Sequence, residues 1–287
     1  MALNLQTLRT RALTAVVFVA LMLTGLLWNH WSFLALFVMI HIGCWLEYFK
    51  LVGLIDARYR GISSLHRWGA ILIGLGFMFW MTDQNFRIGN ILLSEIGQWL
   101  ILGALAGLLV FKLIKTRKPD WQIITYTVLG FLYIAMPWGL MMDLRGHFSN
   151  SFLAGKGWIL PMIIIATIWI NDTMAYLVGS LIGKTPFSSI SPKKTWEGTV
   201  GGAILAVIAV SMAGYYYFHF DTKNMLLITS TAAIMGTAGD LLESKLKRMA
   251  GVKDSGQIMP GHGGFLDRFD SLLLATPYVW LVLNLFL

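Results

Sequence analysis

The chain has 287 residues, of which 57% are hydrophobic and 13% charged, with a mean hydropathy of +0.69. Soluble domains are about half apolar and about a quarter charged, so the balance excludes an ordinary soluble protein and leaves a bilayer as the solvent. The single cysteine, Cys44, excludes an internal disulfide and a zinc cluster of its own, and the net charge of +8, which nucleic acid, anionic lipid or membrane topology can each produce, is explained for the most part by topology.

Nine apolar segments are predicted as spanning helices, at 12–28, 32–49, 68–82, 97–114, 123–142, 158–182, 199–218, 225–242 and 270–287. The first follows Arg9 and Arg11 as a signal peptide would. It is long, though, lacks a small-residue cleavage site and runs almost at once into a second span, so it reads as an uncleaved helix. The third is short, and Trp80 and Met81 extend it into the interface. The expected fold is an all-α integral membrane protein of about nine transmembrane helices with a polar active site near the cytoplasmic face. Five spans fall in an N-terminal region, 1–150, and four in a catalytic region, 151–287, which carries two polar loops. With the N-terminus placed in the cytoplasm, 18 of the 22 lysines and arginines lie inside; Arg87, Arg145, Lys156 and Lys223 lie outside. That asymmetry satisfies the positive-inside rule and predicts a multi-pass protein of the cell (inner) membrane with a non-cytoplasmic C-terminus.

Acidic residues are costly in a bilayer and mark function by default, and eight of the 14 carboxylates lie from Asp172 onward. Asp172 falls inside the sixth segment, where it forms a helical stripe with Tyr176, Gly179 and Gly183. Next along the chain, Ser191-Pro192-Lys193-Lys194-Thr195-Trp196-Glu197-Gly198 sets two lysines beside hydroxyls. This loop reads either as a polyphosphate clamp or as a solvated topological anchor. Asp240, Glu243, Ser244 and Lys247 share one face of the eighth helix, looking into the bundle or marking an interfacial end. Last comes Gly261-His262-Gly263-Gly264, followed by Asp267, Arg268 and Asp270 at a helix start. Glycine-rich backbone and a helix N-terminus offer convergent N–H donors to an anion, although a single aspartate there also serves as a plain cap. Oxygen ligands without a Cys or His cluster favour Mg²⁺, and Mg²⁺ with a ring of cations is the toolkit of phosphoryl or nucleotidyl transfer. Neither a Walker A sequence nor a GxSxG elbow occurs.

The 27 residues from Ser244 to Asp270, with Lys247, Arg248, Lys253, Asp254, Gly256, Pro260, His262, Gly263, Gly264, Asp267 and Arg268 in place, resemble the signature of the phosphatidate cytidylyltransferases. Asp172 to Gly202 resembles a second block of that family, while the first 150 residues resemble it only in hydropathy. Met259 stands where the family usually has Ile or Leu, and Asn171 where a small residue is common. The resemblance implies that CTP and phosphatidic acid give CDP-diacylglycerol and pyrophosphate. It implies catalytic roles for Asp240, Asp267, Lys247, Arg248 and Arg268, with Asp240, Asp267 and Asp270 at the metal. It also implies substrate contacts for Lys193, Lys194, Ser191, Lys253, His262, Gly263, Gly264 and Asp172. Mg²⁺, with K⁺ as a second cation, membrane lipids as partners, no nucleic acid and a homodimer complete its expectations. The alternatives are a paralogue acting on another lipid phosphate and a secondary transporter, which calls for an internal repeat and midplane charges that the sequence lacks.

Overall fold

The computed structural model describes residues 5–114, 120–147, 155–188, 190–257 and 263–286. The chain begins with α1 (Leu5–Leu27), α2 (His30–Ile55), the single turn α3 (Ala57–Arg60) and α4 (Ser64–Trp80). A two-residue hairpin, β1 (Arg87–Ile88) and β2 (Ile91–Leu92), then leads into α5 (Leu93–Ile114). One interrupted helix follows: α6 (Trp121–Gly130), a π-helical turn at Phe131–Ala135 and α7 (Met136–Gly146). The rest is α8 (Ile159–Ile182), α9 (Trp196–Phe218), α10 (Thr222–Met249) and α11 (Leu266–Phe286).

Among the described residues, seven helices are long and apolar enough to cross a membrane: α2, α5, the composite Trp121–Gly146, α8, α9, α10 and α11. The first and third predicted segments are also helical, as α1 and the 17-residue α4. Several ends differ from the sequence reading for a physical reason. The eighth apolar segment ends at 242, and α10 continues past it to Met249, as the shared face of Asp240 to Lys247 implies, because Glu243 and Lys247 pair at i and i+4 and lysine and arginine are good helix formers. The hairpin was not foreseen; it turns on Gly89 at φ +63° and Asn90, a sequence suited to tight hairpins.

The chain forms two compact units: Met1–Gly146 with Met249–Arg268, and His147–Arg248 with Phe269–Leu287. The first is built on α2, whose Phe33, Phe37, Cys44, Trp45 and Leu51 are buried. Where helices lack a hydrophobic drive to associate, small residues and polar links supply the contact. Accordingly Gly76 and Gly97 bring α4 and α5 close, a Cβ on Gly97 falling 2.5 Å from the Gly76 carbonyl. The Tyr48 hydroxyl donates to the Tyr126 carbonyl at 2.7 Å, beside the π-helical turn. Between α4, α5 and α6 lies a cavity of about 870 Å³ with an apolar wall.

In the second unit α8 packs tightly on α9. A Cβ on Gly202 would sit 2.6 Å from the Ala175 nitrogen and 2.7 Å from the Asn171 carbonyl, both main-chain atoms that cannot move aside. Ser211 and Thr229 link α9 to α10 at 3.0 Å, and Asn171 donates to Thr237 at 3.3 Å, linking α8 to α10. Gly202→Val is therefore expected to destabilise the protein by about 1–3 kcal/mol or more through overpacking. Gly107→Ala on α5, where a Cβ meets nothing within 4 Å, should leave stability unchanged or slightly raised. Thermal denaturation in detergent checks both; equal melting of the two variants would contradict the α8–α9 contact.

Candidate active site

Two polar networks are built, one in each unit. In the second unit, the described residues 183–188 and 190–195 of the loop are tied together. Phe187 N donates to the Lys194 carbonyl at 2.8 Å, Trp196 N to Thr185 at 2.9 Å, and Lys194 N to Ser191 at 3.1 Å. Thr195 caps α9 by accepting from Gly198 N at 3.2 Å. Glu197 reaches back to accept from Lys184 N and Thr185 N at 3.2 Å and from the Thr185 hydroxyl at 2.8 Å. The Phe187 and Trp196 rings meet edge to face at 4.5 Å.

This brace delivers Lys194 to Asp240 on α10, with an ion pair at 2.5 Å. One turn on, Glu243 is fully buried and pairs with Lys247. Asp270 on α11 is buried, accepts from Ser271 N at 2.6 Å, and lies near enough to Asp240 and Glu243 for mutual repulsion. Asp172, exposed on α8, feels both Lys194 and Asp240. Four carboxylates thus face two ammonium groups, leaving negative charge in a setting that favours a further cation. Lys193 is exposed on the same loop, and Arg248 is exposed at the end of α10. Gly179 and Gly183 of the predicted α8 stripe turn to α9, each close to the Thr195 hydroxyl, whereas Tyr176 of that stripe is 75% exposed.

In the first unit the network gathers at the start of α11. Asp267 Oδ2 accepts from Gly264 N at 2.7 Å, from Ser255 N at 2.8 Å and from the Ser255 hydroxyl at 2.9 Å. Gly263 sits at φ +78°, a left-handed conformation that favours glycine, and a Cβ there would press on the Asp267 carboxylate at 2.6 Å. Arg268 and Lys253 are exposed in this unit. His262, with Met259, Pro260 and Gly261, lies outside the described residues.

Sequence reasoning missed Glu47. Its carboxylate, on α2, accepts from Phe265 N at 2.8 Å, Leu266 N at 2.9 Å and the Ser255 hydroxyl at 2.6 Å. The first N–H groups of α11 are thus satisfied by Glu47 across more than two hundred residues of sequence. The signal was present as a lone acid within the second apolar segment, which is a functional marker in a bilayer. Glu243, placed on the polar face from sequence but given no role there, is a second residue of this kind.

Among the described residues, no group of three or more His, Cys, Asp or Glu is arranged to hold a metal by itself. Mg²⁺ is commonly held by only one or two carboxylates together with substrate phosphates, so hard oxygen donors in surplus over their cations fit an ion that arrives with a nucleotide.

The model of the cytidylyltransferase family matches residues 9–286. The chain is 32% identical over 285 residues to the phosphatidate cytidylyltransferase of Bacillus subtilis, covering 98% of each. It is 30% identical over 299 residues to that of a Synechocystis species, covering 94% of each. Identity reaches 38% over 178 residues with the Staphylococcus haemolyticus protein of the same name, covering 61% of this chain and 65% of that one.

Glu197 holds the loop through three donor groups, so Glu197→Ala should release it at the two lysines. Trypsin cleavage after Lys193 or Lys194 in detergent is expected to accelerate about tenfold, as lost hydrogen bonds of about 1–3 kcal/mol imply. Cleavage at the parental rate would show that Glu197 does not brace the loop.

Proposed function

The chain belongs to the cytidylyltransferase family, and from that premise we propose that it converts CTP and phosphatidic acid to CDP-diacylglycerol and pyrophosphate in phospholipid biosynthesis. The observation that carries this reading is the match to a phosphatidate cytidylyltransferase across 98% of both chains. A phosphate oxygen of phosphatidic acid attacks the α-phosphorus of CTP, the bond to the β-phosphate oxygen breaks, and pyrophosphate leaves. This nucleophile is already ionised at neutral pH and needs no strong general base. The barrier is instead the meeting of several negative charges, which fixed cations lower.

Lys194 stands ready for that task because it is held opposite Asp240 and can exchange the carboxylate for a triphosphate oxygen. Lys193, Lys247, Arg248, Lys253 and Arg268 share the remaining phosphate charge in this reading. Ser191, Asp172, His262 and the N–H groups of Gly263 and Gly264 complete the substrate contacts. Asp240, Asp267 and Asp270 would hold Mg²⁺, which when bound supplies charge neutralisation and orients the phosphates, with K⁺ as a second cation. Glu243 holds Lys247 in place from its buried position.

The same reading takes α1 and α4 as spans beside the seven long helices, making nine, with the N-terminus in the cytoplasm, the C-terminus outside and the protein in the cell (inner) membrane. The polar groups then lie near the cytoplasmic face, where CTP is available. It groups five spans in residues 1–150 and four in 151–287, and takes the working form as a homodimer.

Purified protein in detergent, given CTP and a panel of lipid phosphates, is expected to form CDP-diacylglycerol from phosphatidic acid. Product from a different lipid phosphate alone would reassign it to a paralogous substrate, and no product from any would overturn the reading. Asp240→Asn and Asp267→Asn should each lose at least about a hundredfold in turnover, on the order of 3 kcal/mol. Lys194→Ala should raise the KM for CTP more than Lys193→Ala does. A well-folded Asp240→Asn or Asp267→Asn with near-normal turnover would remove that residue from the site.

A further inference from the structure

Glu47 lies on α2, about 12 Å along the helix from its end at Ile55, in a stretch whose neighbours Trp45, Tyr48 and Phe49 are buried. No lysine, arginine or histidine of the described residues pairs with it. Its charge is met instead by two main-chain N–H groups at the start of α11 and by one hydroxyl. Main-chain donors are fixed in direction, so a carboxylate bound to two of them sets the position of the whole helix start.

The surrounding glycines follow from this contact. A Cβ on Gly264 or on Gly256 would collide with the Glu47 carboxylate, and a Cβ on Gly43, one turn back on α2, would collide with the Phe265 ring. The backbone on either side of Ser255 and Phe265 therefore closes around Glu47. Ser255, itself fully buried, carries the constraint onward. Its hydroxyl lies 2.6 Å from Glu47 Oε2 and 2.9 Å from Asp267 Oδ2, and its N–H gives Asp267 another bond at 2.8 Å. Asp267 Oδ2 accepts from two N–H groups and lies against the Ser255 hydroxyl, whose one proton it shares with Glu47, so the direction of its other oxygen is set by groups that Glu47 holds in place.

We propose that Glu47 is a positioning residue for the reaction: it holds Ser255 and the main chain at Phe265 and Leu266 so that Asp267 presents one oxygen in a fixed direction to a divalent cation. The inference rests on the function proposed above and extends the site to the N-terminal half of the chain. Glu47 touches neither substrate nor metal in this scheme. It acts through Ser255 and the first turn of α11.

The test uses the full chain in detergent and two variants, Glu47→Gln and Ser255→Ala. Glutamine keeps the size but replaces one acceptor oxygen with an amide donor facing other donors. Alanine at 255 removes the hydroxyl link and leaves the main-chain bonds to Glu47 intact. Mn²⁺ is the probe, its binding followed by electron paramagnetic resonance with CTP present, beside turnover and the KM for phosphatidic acid. Each variant is expected to weaken Mn²⁺ binding and lower turnover by about 10–100-fold, as loss of a group supporting a metal ligand does, with the KM for the lipid changed less than about twofold. Parental Mn²⁺ affinity and turnover in a folded Glu47→Gln would overturn the proposal. Should that variant fail to fold, parental values in Ser255→Ala would overturn it equally. Wild-type protein that forms no CDP-lipid would instead sink the functional reading, so the two failures are distinct.

Discussion

In a bilayer, an ionised carboxylate and the unpaired N–H groups of a helix start are each costly, by several kcal/mol when left without partners. The contact between Glu47 and the first turn of α11 resolves both at once. Much of the first unit's polar construction depends on it. The glycines at 256 and 264 leave room for the carboxylate, Gly43 leaves room for Phe265, and Ser255 relays the constraint to Asp267. A glycine-rich segment that looks like a flexible phosphate loop from its sequence is, on the side described, tied down by an acid from far earlier in the chain.

The second unit applies the same constraint with the signs distributed differently. Asp240 and Glu243 are each matched by a lysine, one brought in by the braced loop and the other one helical turn away. Asp270 has a main-chain donor and two acidic neighbours. Such a cluster is held together while cations are shared among too many anions, and it gains when another cation enters. In the proposed reading, a triphosphate and a divalent ion would bring both charges, the anion to the lysines and the cation to the acids. Outside the spans the pattern is plainer. Asp56 caps α3, and its hydrogen bonds from the Arg58 side chain and backbone hold its carboxyl below the usual range.

The membrane class, the order of the helices and the acids of the C-terminal half were legible because hydropathy and the cost of buried charge are properties of single residues and their near neighbours. Asp240, Lys194, Gly264 and Asp267, all singled out from the sequence, fall in polar networks. What escaped was set by contacts distant in sequence. Glu47 meets Phe265 and Leu266 only because of how α2 packs, and no local pattern announces that. A capping role for Asp267 or Asp270, the alternative to a functional one, is taken in part by Glu47 from α2, which accepts from Phe265 N and Leu266 N. Lys193 and Lys194 are indistinguishable as neighbours in a basic loop; the fold of that loop exposes the first and pairs the second. The apolar segment 225–242 is shorter than α10 because apolarity marks where a span stops and helix propensity marks where a helix stops; the helical spacing of Asp240 to Lys247 already runs past the segment's end.

The central claim is that the chain transfers a nucleotidyl group and not the terminal phosphoryl group to a lipid phosphate. Following the label from two CTP preparations tests it most directly. Phosphorus-32 at the α-position should appear in the lipid product, and label at the γ-position should appear wholly in pyrophosphate. Label from the γ-position in the lipid would contradict the account, because the bond broken would then be the one that a kinase breaks.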